Sequence, residues 1–293
     1  MKKPESTLLQ IHEDPVMFRE AVNFTAAQTK FIPRLIEKDY FCTVLLDYLA
    51  TADGSLVFKG GTCLAKVHAG FYRLSEDLDF VIPTPLSASR SERRGLSAGL
   101  KAAISQLPGK LNAFRIVKPL TGANNSTQYV AVVGYTSLLN QQEETVKIEA
   151  GLREPLLTQV LIGKAQTLLL NPVTGKPITP AIPMPCISRS EAMAEKLRAA
   201  LSRREAAIRD FYDIDYAVRK WGFLPLETAM TELVKQKIAV PGNDPVDVSP
   251  ERMAVLRQQL NTELKTVLRE KDFREFDLER AFRIVTEVAA IIG

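Results

Sequence analysis

The stretch "VFKGGTCLAKVHAGFYRLSEDLDFVI", Val57 to Ile82, decides how the chain is read. It opens and closes on apolar runs that predict buried strands, and a short helix from about Thr62 to Ala69 fits between them. Three acids, Glu76, Asp77 and Asp79, crowd the entry to the second strand, where like charges repel. Such crowding calls for a cation. On a strand, Asp77 and Asp79 project to the same side. With no histidine or thiol counted beside them, they form a hard, oxygen-only donor set of the kind Mg²⁺ takes.

The other end of the stretch is complementary. Lys59, Gly60, Gly61 and Thr62 leave the first strand and open a helix, where glycines admit a ligand close to the backbone and the helix start offers free N–H groups. Asp77 and Asp79 lie seventeen and nineteen residues after Gly60, room for one helix and a return to the adjacent strand. The order places a triphosphate between amide donors and a metal pair. Neither a P-loop nor a G-x-G-x-x-G dinucleotide loop has this spacing.

Working outward, residues 15–50 read as helical, and "SERRGLSAGLKAAISQL" as an amphipathic helix. "AFRIVKPL", "TQYVAVVGYTSLL" and "TVKIEAGLR" read as strands, the last two as an antiparallel hairpin. Val146, Ile148 and Ala150 alternate with Lys147, Glu149 and Gly151, so Glu149 is a candidate third carboxylate from a neighbouring strand. "NPVTGKPITPAIPMP" holds five prolines in fifteen residues and is expected to be neither helix nor central strand. Ser188 and Glu191 then form a capping box ahead of a long helix without Gly or Pro until Gly222. On that helix Lys196, Arg203 and Asp210 recur every seven residues along one face, with Asp213 close by. A salt-bridged solvent face is the plain reading; a phosphate contact from Lys196 is the functional one. Met253, Leu256, Leu260, Leu264 and Leu268 predict a bundle helix, and a last helix lies near 275–291.

The expected fold is α+β: a mixed sheet with flanking helices plus a helical C-terminal lobe. Residues 1–170 form the first domain with its N-terminal helices, 171–187 a Pro-rich linker, and 188–293 the helical domain. The chain carries 38 Lys+Arg against 34 Asp+Glu, a net charge of +4, compatible with nucleic acid but no argument for it. Local basic clusters at Arg90, Arg93 and Arg94 and at Arg203 and Arg204 are ordinarily solvated helix faces. Three cysteines are too few and too scattered for a disulfide framework or a zinc site, and two histidines argue against histidine metal chemistry. "MKKPESTLLQIHEDP" lacks the apolar core of a secretory signal, and no run approaches a membrane span of about 20 apolar residues. A cytoplasmic protein without membrane partners is expected.

"EKDY" (Glu37–Tyr40), "LVFKGGTCLAKVHAGFYRLSEDLDFVI", "VKIEAGLREPL" and "EKLRAALSRREAAIRDFYDIDYAV" together resemble the successive motifs of the AbiEii/MenT nucleotidyltransferase toxins, within the DNA polymerase β-like nucleotidyltransferase superfamily. The resemblance implies a minimal nucleotidyltransferase fold joined to a helical lobe. It implies Mg²⁺-dependent transfer of a nucleoside monophosphate from an NTP, with two ions, to an acceptor such as the 3′ end of tRNA. It also implies a role in phage defence and a separately encoded antitoxin. Asp77 and Asp79 would hold the metals, with Glu149 where the superfamily often has Asp. Gly60, Gly61 and Thr62 would cradle the triphosphate, with Ser75 beside them and Lys59, Lys66 and Asp213 also on the nucleotide. Lys196 and Asp210 would come from the helical lobe, and Arg73, Arg203 and Arg204 would meet the tRNA backbone. Two other readings stand beside this one. The acceptor would be a protein or a small molecule in the first; the second is a catalytically silent nucleotide- or RNA-binding regulator.

Overall fold

A computed structural model describes residues 10–293. Part of the opening stretch read for a secretory signal, residues 1–9, lies outside the described residues. The chain divides into two compact units, one ending at Ile187 and the other running from Ser188 to Gly293.

The first unit is built on a seven-stranded mixed sheet. Its strands are β1 (Val57–Lys59), β2 (Leu78–Val81), β3 (Phe114–Ala123), β4 (Gln128–Thr136), β5 (Glu143–Gly151), β6 (Leu161–Ala165) and β7 (Ile182–Cys186), in the order β3-β4-β5-β2-β1-β7-β6. β4 and β5 form the expected antiparallel hairpin, and β5 runs parallel to β2. Val146, Ile148 and Ala150 are fully buried while Lys147, Glu149 and Gly151 are half-buried, as the two-residue alternation requires. The helices are α1 (Pro15–Thr29), α2 (Pro33–Ala52), α3 (Gly60–Cys63) with a wider turn at Leu64–His68, α4 (Arg90–Leu96) and α5 (Ala98–Lys110). Phe41 of α2 stacks on Tyr135 at 4.0 Å and meets Phe114 edge-on, which locks α2 to β3 and β4.

The Pro-rich segment 171–187 is not a linker: it ends in β7, an interior strand between β1 and β6. Proline survives there by parity. Ile187 N–H donates to the Phe58 carbonyl, so residues 183, 185 and 187 turn their nitrogens toward β1. β1 is three residues long and pairs with β7 only at Phe58 and Cys186. Pro183 and Pro185 therefore lack donors only where β1 asks for none.

The second unit is helical: α6 (Arg189–Ser202), α7 (Ile208–Trp221), α8 (Thr228–Ala239), α9 (Pro250–Gln259), α10 (Glu270–Glu275) and α11 (Leu278–Ile292). Ser188 caps α6 by accepting the Glu191 N–H, the serine half of the expected capping box, while the Glu191 carboxylate pairs with Lys237 at 2.7 Å. The expected single helix to Gly222 is instead two, with a break at residues 203–207 that neither Gly nor Pro announces. Its cause lies far along the chain. The buried guanidinium of Arg252 donates to the carbonyls of Ala199, Ala200 and Arg203, terminating α6. Gln259 then accepts the Ile208 N–H and donates to the Ala206 carbonyl, starting α7. The leucine ladder is correspondingly interrupted: Leu256 and Leu264 are buried, but the α-helix stops at Gln259.

Arg252→Ala is expected to destabilise this unit by about 2–4 kcal/mol, because several carbonyls lose a charged donor at once. Denaturant unfolding followed by the fluorescence of Trp221, the chain's one tryptophan, measures it. Arg252→Lys is expected to recover only part, since an ammonium cannot span the same carbonyls.

Candidate active site

The first unit gathers one set of candidate residues around β2. Strand registry places Asp79 directly across from Glu149 on β5 and from Lys59 on β1. Asp77, just before β2, lies near enough for its charge to act on Asp79. Burial first, then the charge of Glu149, pushes the Asp79 carboxyl up to about 6, and Asp77 adds to the effect; Lys59 and Lys147 pull the other way without cancelling it. The third acid of the crowded stretch is already answered. Glu76 accepts from Lys38 at 2.8 Å and Arg34 at 3.1 Å.

Gly60 explains how the turn reaches this carboxylate. Its φ is +76°, and a Cβ there would overlap the Asp79 side chain, 2.9 Å from Asp79 Cβ. At Gly61 a Cβ would come within 2.6 Å of Arg73 Nη2 and 3.1 Å of Ser75 Oγ, so Ser75 does lie beside the glycine pair. The Thr62 hydroxyl donates to the Asp77 carbonyl oxygen. It ties the glycine turn to the acids and has no hydroxyl proton left for a phosphate.

Two basic residues lie elsewhere than the sequence predicts. Lys66 is buried, and its ammonium is held by Asp39 Oδ1 at 2.6 Å, Thr43 Oγ1 at 2.7 Å and two backbone carbonyls. It braces α2 against the segment after β6 rather than facing a nucleotide. Arg73, expected on a tRNA-binding lip, is 2% exposed and lies under the Gly61 turn. Its place against Gly61 comes from the chain's return toward β2, which residue type alone does not announce.

The donor set suits a hard divalent cation: oxygen ligands only, with excess negative charge at Asp79. Glu149 is partly engaged, accepting from Gln128 Nε2 at 2.7 Å and Lys147 Nζ at 3.1 Å. Asp77 and Asp79 are therefore the better-disposed pair, and Glu149 would join them by exchanging its partners.

The second unit carries its own set. Lys196 Nζ lies 2.7 Å from Asp210 Oδ1 and 2.9 Å from Asp213 Oδ2, with only the edge of the lysine accessible. One continuous helix would have held Lys196 and Asp210 about 21 Å apart; the break between α6 and α7 folds them together. Asp210 Oδ2 is buried without a hydrogen-bond partner, 3.6 Å from the exposed Arg203 guanidinium. Arg204 is exposed beside it.

Among the described residues, the trio of potential metal-ligand atoms lying within 4.8 Å of one another is not the acids but Cys63, His68 and Cys186. In sequence these thiols are widely separated. β7, hidden behind prolines, carries Cys186 back to the helix that follows β1.

A sequence model described as the nucleotidyl transferase AbiEii toxin of type IV toxin–antitoxin systems matches residues 44–283. The chain belongs to the AbiEii nucleotidyltransferase toxin family. Among solved structures, it is similar to MenT4, a nucleotidyltransferase toxin from Mycobacterium tuberculosis, with a TM-score of 0.52 and 17% identity over 94% of this chain and 98% of that one. It is also similar to JHP933 from Helicobacter pylori, with a TM-score of 0.50 and 18% identity over 89% of this chain and 93% of that one. No curated protein sequence matches it. At this identity the structures speak for the shared fold, and the AbiEii match for toxin-type nucleotidyl transfer and an antitoxin partner. No helix among the described residues is long and apolar enough to cross a membrane.

Gly60→Ala is expected to abolish transfer and to cost about 1–2 kcal/mol from the left-handed backbone alone; parallel activity and melting measurements test both. The Asp79 carboxyl holds its proton to higher pH in the folded chain than in the unfolded one. The folded chain keeps this proton between the unfolded value near 4 and about 6, so stability falls as pH rises through that window. The melting-temperature difference between wild type and Asp79→Asn should shift in favour of the variant from pH 4 to pH 6 and level off above.

Proposed function

We propose that this AbiEii-family chain transfers a nucleoside monophosphate from an NTP to the 3′ end of tRNA, using Mg²⁺ and releasing pyrophosphate. Translation is thereby blocked until a separately encoded antitoxin counters it, an arrangement suited to phage defence by abortive infection. The observation that carries the reading is the oxygen-only pair Asp77 and Asp79, with Glu149 in register beside Asp79, against a glycine turn that leaves no room for a Cβ.

Asp77 and Asp79 are the candidate ligands of two Mg²⁺ ions, with Glu149 the candidate third acid. Bound Mg²⁺ would supply Lewis acidity to the acceptor hydroxyl and to the leaving pyrophosphate. The remaining work falls to the chain. The backbone of Gly60, Gly61 and Thr62 receives the triphosphate, and Ser75 flanks it. Thr62, through its bond to the Asp77 carbonyl, keeps the phosphate turn and the acids in one fixed relation. Lys59, across from Asp79, adds positive charge on the nucleotide side. In the second unit Lys196 is held between Asp210 and Asp213, which fixes the direction of its ammonium. In the reaction the 3′-hydroxyl oxygen bonds to the α-phosphorus as the α–β bridging bond breaks, and the hydroxyl proton passes to solvent. Arg203 and Arg204, both exposed, are the candidate contacts for the tRNA backbone.

The test is incubation of α-labelled NTPs, one at a time with Mg²⁺, with purified total tRNA, using wild type and Asp77→Ala. Label is expected in tRNA with wild type, and at least about a thousandfold less with Asp77→Ala, whose melting temperature should be little changed because a repelling charge is removed. Full transfer by Asp77→Ala would overturn the metal assignment. Label absent from tRNA, with pyrophosphate released only when cell extract is present, would move the acceptor to a protein or small molecule.

A further inference from the structure

The cluster formed by Cys63, His68 and Cys186 is chemically unlike the acid site and has no part in nucleotidyl transfer as described. Cys63 ends α3, one residue after Thr62; His68 ends the wide turn that follows; Cys186 closes β7. Neither thiol is in a disulfide, both are fully buried, and His68 is half-buried. We infer that these three side chains form a binding site for one zinc-class cation, a soft site standing behind the phosphate turn and separate from the oxygen site for Mg²⁺.

Three observations support it. The ligand atoms lie within 4.8 Å of one another; around a tetrahedral zinc they would stand about 3.5–3.8 Å apart, a difference within the reach of small side-chain rotations. His68 Nε2 is 3.0 Å from the Ile187 carbonyl oxygen, which can only accept. The ring proton therefore sits on Nε2 in the neutral tautomer, leaving the Nδ1 lone pair for a metal. A backbone carbonyl holding the remote N–H is the usual support of a metal-bound histidine. Space is kept for the sulfur as well: a Cβ on Gly163 of β6 would lie 2.6 Å from Cys186 Sγ.

The donor chemistry chooses the ion. Two thiolates and one imidazole select zinc-class cations and reject Mg²⁺, which the acids select. Binding a divalent ion displaces whatever protons the thiols still hold and leaves a fourth position open beside the half-buried imidazole. The mechanical consequence follows from position. A bound ion would clamp α3 to β7, steadying the turn of Gly60, Gly61 and Thr62 that opens α3.

The full chain, reduced and freed of metal, is titrated with Co²⁺. One Co²⁺ per chain with thiolate-to-cobalt charge-transfer absorption is expected, displaced by Zn²⁺ with a rise in melting temperature. Cys63→Ser and Cys186→Ser should lose the absorption, and His68→Ala should weaken cobalt binding at least about tenfold. Cys42→Ser, which removes the third buried thiol, and Asp79→Asn, which alters the acid site, should both retain it. Absence of the charge-transfer absorption in wild type at saturating Co²⁺ overturns the inference without recourse to any variant. So does its persistence in either serine variant of the pair, or a Cys63–Cys186 disulfide in a chain that takes up no metal after reduction.

Discussion

Keeping Asp77, Asp79 and Glu149 close together in a partly buried place is the constraint that the first unit is built around. Each charge opposes the others, and burial worsens the opposition. The fold resists it with geometry. β2 is held between β1 and β5, so Asp79 cannot withdraw from Glu149 without breaking strand pairing on both sides. Gly60 gives up its side chain to the space Asp79 occupies, and Thr62 binds the turn to the Asp77 backbone.

α2 is the strut behind that arrangement. Four consecutive residues leave it in four directions, since a helix turns by about 100° per residue. Glu37 accepts from Ser137 and Leu138, Lys38 binds Glu76, Asp39 binds Lys66 and the Leu168 N–H, and the Tyr40 hydroxyl meets His12. Such a helix must be enclosed all round, and every residue from Leu35 to Thr43 is buried. Charged groups are kept inside because each has a partner; removing one would strand the other without water.

The second unit solves a similar problem by a different route. Lys196, Asp210 and Asp213 meet only because α6 and α7 fold back on each other, and that reversal depends on Arg252 and Gln259 from α9 and its end. A locally strong helical sequence is thus overruled by hydrogen bonds from some fifty residues away. Lys66 and Arg73 show the same limit in the first unit: a lysine and an arginine read as ligands for phosphate or RNA are instead enclosed, one by Asp39 and one under Gly61.

What the sequence determined by itself are the features that repeat locally. The two-residue alternation of β5, the β4–β5 hairpin, the serine cap of α6 and the strand, glycine turn, helix, D-x-D order were all legible, because each rests on contacts between near neighbours. The position of Glu149 beside Asp79 was anticipated from alternation, but its pairing with Asp79 needed the parallel registry of β2 and β5. Tertiary structure alone decided the helix break before Ile208, the place of a proline-bearing strand inside the sheet, and the meeting of Cys63, His68 and Cys186. Each of these is fixed by a partner distant in the chain, and residue type records what a group can bind but not which distant group will arrive to bind it.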